Sequence, residues 1–126
     1  MSLPSLVDLA NEVAVSPTPQ RRCLLLSGFM EHYRHVPPDE RGILTDDEPP
    51  LTGDPAWDAL IAGLAEHLAE LDARTAPAWT DYPARFLTEP WCFFDVGVWR
   101  TEAEEHSPPS FRRHGVLIRP VELEQV

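Results

Sequence analysis

Fourteen prolines cut this chain into short pieces, and the stretches they spare decide what it can fold into. Proline lacks a backbone N–H and clashes with the preceding turn, so helix interiors and central strands reject it. The widest proline-free windows are residues 20–36, 56–76 and 91–107. Any long element must lie in one of them.

The second window holds the clearest pattern. From Pro55 to Ala73, Trp57, Leu60, Ile61, Leu64, Leu68 and Leu71 recur at spacings of three, four and seven, which places them on one side of a helix. Asp54 suits the N-cap and Pro55 the first helical position, where a missing N–H costs nothing. Burying one large apolar side chain gains roughly 1.5–3 kcal/mol. Fixing one residue's backbone costs about 1–2 kcal/mol. The helix therefore needs a wall, and the rest of the chain must supply it.

The first window predicts a second long helix, Gln20–Val36, with Leu25, Leu26, Phe29, Met30, Tyr33 and Val36 on its apolar side. Gly28 either weakens that helix or lets another cross close to it. Leu3–Val15 reads as a short helix on Leu6, Leu9, Ala10 and Val13, with Ser2 as cap. Asp39–Gly53 reads as a loop with one turn near Glu40–Leu44, and its Asp46-Asp47-Glu48-Pro49-Pro50 run as a solvated connector.

Beyond the central helix the pattern changes. Pro77–Trp91 is rich in aromatics but has no sustained period, and reads as an irregular layer with one helical turn around Pro83–Leu87. Phe93–Arg100 reads as a short strand or the approach to a helix at Thr101–Glu105. Ser107-Pro108-Pro109-Ser110 predicts a capped short helix through Arg113, closed by Gly115. Val116–Ile118 is too short an apolar run to classify, and Pro120–Val126 predicts a last helical turn. The expected fold is mainly α: one helical domain over 1–126, a small irregular bundle with a proline- and aromatic-rich C-terminal layer.

The net charge is −11. A surface this acidic repels phosphate backbones and anionic lipids, which disfavours nucleic acid and membranes as partners and favours a basic protein. The N-terminus lacks a basic region ahead of an apolar run, and no segment nears the ~20 apolar residues that span a bilayer. The cytoplasm is the expected location.

Reactive constellations are sparse. Cys23 and Cys92 form no CxxC pair, and neither H-E-x-x-H nor facing Glu-x-x-His pairs occur. Cys23 lies beside Arg22 near a helix start, which favours thiolate, yet the adjacent Leu24-Leu25-Leu26 run argues for a buried thiol. No G-x-S-x-G elbow and no glycine-rich phosphate loop are present. The expectation is therefore no enzyme, no metal and no cofactor. Arg112, Arg113 and Arg119 make the one basic spot. They either pair with acids of this chain, as the forked guanidinium permits, or meet a partner.

Pro77, Trp79, Pro83, Phe86, Leu87, Pro90 and Trp91, followed by Ser107, Pro108, Phe111, Arg112, Arg113 and an apolar run, form a recurring pattern. Asp54, Trp57, Asp58, Leu60 and His67 extend it upstream. The last three quarters of the chain thereby resemble a group of small uncharacterised bacterial proteins, similar to antitoxins encoded beside nucleotidyltransferase-type toxins. The usual leucine-rich spacer is replaced here by Phe93–Glu105, and the N-terminal segment matches loosely. The resemblance implies a neutralising, protein-binding role toward a basic toxin and carries no catalytic residues. Trp79, Trp91, Phe111, Arg112, Arg113 and Arg119 are the expected partner contacts, since Trp and Arg dominate interface energies. The alternatives are a DNA-contacting regulatory module and an enzyme acting on a small molecule.

Overall fold

The computed structural model describes residues 5–16 and 18–124. The protein is mainly α, organised around the central helix, α3 (Pro55–Leu71). Asp54 caps it, accepting from the Ala56 N–H at 3.0 Å. Arg22 clamps the same carboxylate at 2.7 Å, tying the start of α2 to the start of α3.

α3 is buried on more than one face. Besides Trp57, Leu60, Ile61, Leu64 and Leu68, the small residues Ala59, Ala62, Gly63, Ala65 and Ala69 are enclosed. Leu71, expected in the apolar stripe, is instead exposed, because the helix ends there and the chain turns away through Ala73 at φ 55°. Small side chains let neighbours approach the helix closely. A Cβ on Gly63 would meet the Phe111 ring at 3.0 Å and the Phe111 Cα at 3.1 Å.

The N-terminal layer is α1 (Leu6–Ala14) and α2 (Pro19–His35). Ser5 caps α1, accepting from the Asp8 N–H; the expected cap Ser2 lies outside the described residues. Thr18 caps α2 and Pro19 takes its first turn. Leu6, Leu9, Ala10, Val13, Leu25, Leu26, Phe29, Met30 and Tyr33 join one core with α3. Gly28 lies exposed with open space beyond it, so it serves no helix crossing.

A 3-10 turn at Pro38–Leu44 leads into the acidic connector. Two further short turns, Ala78–Asp81 and Pro83–Arg85, make the irregular layer. Arg85 is buried there at 1% exposure, donating to the Pro49 carbonyl at 2.6 Å and the Asp58 carbonyl at 3.3 Å. Its guanidinium lies 4.9 Å from the Trp79 ring centre.

The strand is Trp91–Cys92 (β1), and Phe93–Arg100 follows its other reading, leading into a helix that contains Thr101–Glu105. β1 pairs in parallel with β2 (Val116–Leu117), Trp91 opposite Val116 and Cys92 opposite Leu117. Between them run α4 (Gly97–His106) and α5 (Pro109–Arg113), and α6 (Pro120–Glu124) follows. No serine side chain caps α5. Ser107 instead receives the Ile118 N–H at 2.8 Å, pinning β2 to the end of α4. Gly115 takes φ 87° with Leu87 pressed against it.

Candidate functional site

The geometry that most needs explaining begins where β1 ends. The Phe93 N–H bonds the Leu117 carbonyl at 2.9 Å, and the chain then leaves the sheet. Tertiary packing stops within a few residues. Phe94 is 38% exposed, Trp99 43%, Val96 57% and Val98 76%. Leu24, on the adjacent face of α2, is 69% exposed.

These side chains form a continuous aromatic path from core to surface. Trp57 and Trp91 each meet Phe93 edge-on at 6.0 Å. Phe93 meets Phe94 at 5.4 Å, and Phe94 meets Trp99 at 5.9 Å. A surface groove of about 410 Å³, lined by Pro19, Cys23, Leu24 and Phe94, lies beside this path. A smaller hollow of about 120 Å³ continues it, walled by Cys23, Phe93, Phe94 and Glu122. The path thus has a buried base at Trp57 and an exposed apolar tip at Phe94 and Trp99.

Acidic groups border the surface. Asp95, Glu102, Glu104 and Glu105 stand on or beside α4, against Arg100 and Arg119. Arg100 is held by Asp95 at 2.8 Å and Glu104 at 3.1 Å. Arg119 lies over the Trp99 ring at 4.7 Å and pairs with Glu122 and Glu102. Both cations are thus already neutralised by their own chain, and the rim stays negative.

The six residues expected as partner contacts separate into groups. Phe111 has no exposed surface and Trp79 only 4%, so neither reaches a partner in this fold. Phe111 fills the space above Gly63, and Trp79 donates its indole N–H to the Thr45 carbonyl at 3.2 Å. Trp91 is half-buried as part of the aromatic path. Arg113 pairs with Glu66 and Asp81 at 2.5 Å each, and Arg112 donates to the Glu104 carbonyl at 2.8 Å. Arg113 thus pairs with acids of its own chain, whereas Arg112 meets only a backbone carbonyl; both stay exposed. Arg119 alone of the three arginines lies against the exposed apolar surface. Leu24, Phe94, Val96, Val98 and Trp99 did not stand out as contacts in the sequence. The signal was there: three consecutive leucines cannot all face one side of a helix, and Phe93–Trp99 carries more apolar residues than a two-residue strand can bury.

A second polar cluster is enclosed. His114, fully buried, donates from Nδ1 to the Arg85 carbonyl at 2.6 Å, since a carbonyl only accepts. Its Nε2 meets Glu66. Phe86 stacks on the ring at 4.3 Å and Arg113 covers Phe86. With no exposed surface on His114, this cluster joins α3 to the C-terminal layer rather than meeting substrate.

The thiols are not poised for nucleophilic work. Burial, with Glu122 beside it, pushes the Cys23 thiol up, and Cys23 lines the groove half-buried rather than sitting in the core. Burial likewise raises Cys92, whose Sγ donates to the Phe94 carbonyl at 3.2 Å. Among the described residues, no three His, Cys, Asp or Glu side chains gather to hold a metal ion, and no helix is long and apolar enough to cross a membrane.

No family model matches the chain, and comparison with curated proteins and with solved structures found no match.

Proposed function

We propose that this chain is a protein-binding module of antitoxin type, which neutralises a basic partner encoded nearby. The observation that carries the reading is the acid-bordered apolar surface of Leu24, Phe94 and Trp99, with the exposed Val96 and Val98 next to them in the chain. An exposed cluster of large apolar side chains is costly to keep in water, and in monomeric proteins it commonly marks an interface. The aromatic anchor supplies the buried centre of a contact, and the acidic rim steers a cationic partner toward it. The tail pattern behind the antitoxin resemblance bears on the fold more than on the contact, because Phe111 and Arg113 are engaged within the chain.

The test is co-expression with the adjacent open reading frame, scored by co-purification and growth rescue. The double variant Leu24→Ser, Trp99→Ser removes the Phe94 and Arg119 contacts of Trp99 and is expected to cost about 1–2 kcal/mol while the chain stays folded, which circular dichroism checks. It is expected to lose both co-purification and rescue. A parent chain that neither binds nor rescues overturns the reading. A double variant that binds as well as the parent overturns the choice of surface.

A further inference from the structure

A cavity of about 440 Å³ opens between α2, the end of α3, the proline before α5 and the proline that starts α6. Its volume falls in the roughly 300–1,000 Å³ range of small-molecule sites. Met30, Leu68, Leu71, Leu123 and two prolines give it an aliphatic wall, and five polar side chains reach it.

Three of those five are already committed. Asp72 accepts from the Tyr33 hydroxyl at 2.5 Å and from Arg41 at 3.1 Å, with Arg74 at 3.5 Å. Arg41 also donates from Nε to the carbonyls of Tyr33 and Val36 and from Nη2 to that of Arg34. The Tyr33 oxygen also accepts from Arg74 at 2.5 Å. The other two are not committed. Arg34 donates from Nη2 to the Leu123 carbonyl at 2.5 Å, which fixes the guanidinium, but Nη1 is buried without a hydrogen-bond partner among the described residues. The nearest carboxylate, Glu31, is 3.9 Å from Nη1, beyond hydrogen-bond reach. Nδ1 of His67 is likewise buried without a partner. Its ring is fixed against Phe111 at 5.6 Å.

A buried donor left unmade costs about 1–3 kcal/mol, more where the group is charged. Two such atoms on one cavity describe what would satisfy them. Arg34 Nη1 can only donate and carries charge, so its complement is an anionic oxygen. His67, which burial keeps toward its neutral form despite Glu70, can donate from Nδ1 to a second oxygen. The remaining wall is aliphatic.

From this juxtaposition we infer that the cavity is a binding site for a medium-chain aliphatic monocarboxylate, with Arg34 and His67 taking the carboxylate and Met30, Leu68, Leu71 and Leu123 the chain. Its lining residues are distinct from those of the protein-binding surface.

The probe is sodium octanoate, titrated into the full chain by calorimetry, with 1-octanol as the uncharged comparator. One-site saturable binding is expected, with a Kd on the order of 0.1–1 mM for so small a ligand. Octanol is expected to bind about tenfold or more weakly, and Arg34→Gln to weaken octanoate by a similar factor, as losing a charge-assisted bond requires. Leu71→Trp fills the mouth from an exposed position, does not disturb the core, and is expected to abolish binding. Lack of saturation up to about 10 mM overturns the inference, being well above the expected range. So does equal affinity for octanol, or an unchanged octanoate affinity in Leu71→Trp.

Discussion

Removing one oxygen, by Tyr33→Phe, tests the electrostatic reasoning most directly. The Tyr33 hydroxyl is nearly buried and lies between Asp72 and Arg74, 2.5 Å from each. Burial and the bond to Asp72 push its pKa up to about 12 from the ordinary 10. A phenol whose folded pKa is raised stabilises the fold while protonated. That contribution is complete below pH 10 and is lost as pH rises toward 12. The two-unit rise corresponds to roughly 2–3 kcal/mol. Desolvation, the largest cause of the rise, acts on the phenolate alone, so the cost of Tyr33→Phe in the protonated range comes from the lost hydrogen bonds to charged groups, about 1.5–3 kcal/mol. The assay is urea unfolding of parent and variant at intervals from pH 8 to 12. The chain has no lysine, so few groups titrate in that window, and Tyr82, Cys23 and Cys92 are common to both proteins. Tyr33→Phe is expected to be less stable by about 1.5–3 kcal/mol at pH 8. The gap should close by about pH 12. Parallel pH profiles, with a constant gap, would refute the argument.

Two glycine substitutions are expected to act in opposite directions in the same unfolding assay. Gly28→Ala meets open space on an exposed helix and should stabilise by about 0.5–1 kcal/mol. Gly63→Ala drives a methyl into Phe111, including its backbone, and should destabilise by about 1–2 kcal/mol after the propensity gain. Glu66→Ala leaves the buried His114 Nε2 without its carboxylate and should cost about 1–3 kcal/mol; an unchanged midpoint would remove the network from the account. Thiol labelling of the folded protein at pH 8 should modify half-buried Cys23 before buried Cys92, both more slowly than a free thiol; simultaneous modification would contradict that order.

The elements were legible where a local rule determined them. Thr18 with Pro19 and Asp54 with Pro55 announce α2 and α3 through cap and first-turn chemistry. What local rules could not give was the number of sides on which α3 is covered. Periodicity marked a stripe ending at Leu71, whereas alanines and Gly63 on the other faces are buried by segments distant in sequence. Arg85 reads as a surface cation, and the carbonyls of Pro49 and Asp58, the Trp79 ring and the charges of Asp58 and Glu48 make its burial tolerable. The candidate interface was missed for a related reason. Counting aromatics cannot tell Phe111, which found a slot above Gly63, from Trp99, which did not. Pairing of Arg113 with acids of its own chain was foreseeable from charge balance, but its particular partners, Glu66 and Asp81, required the fold.

The close fit of Phe111 over Gly63 also bears on how the molecule is made. A chain leaving the ribosome at about 5–20 residues per second exposes α3 seconds before Phe111 and Val116–Ile118 emerge to cover it. Through that interval the central helix presents bare alanines and a glycine to its surroundings. The newly made protein is therefore most open to chaperones, proteases and self-association before its own C-terminal layer arrives.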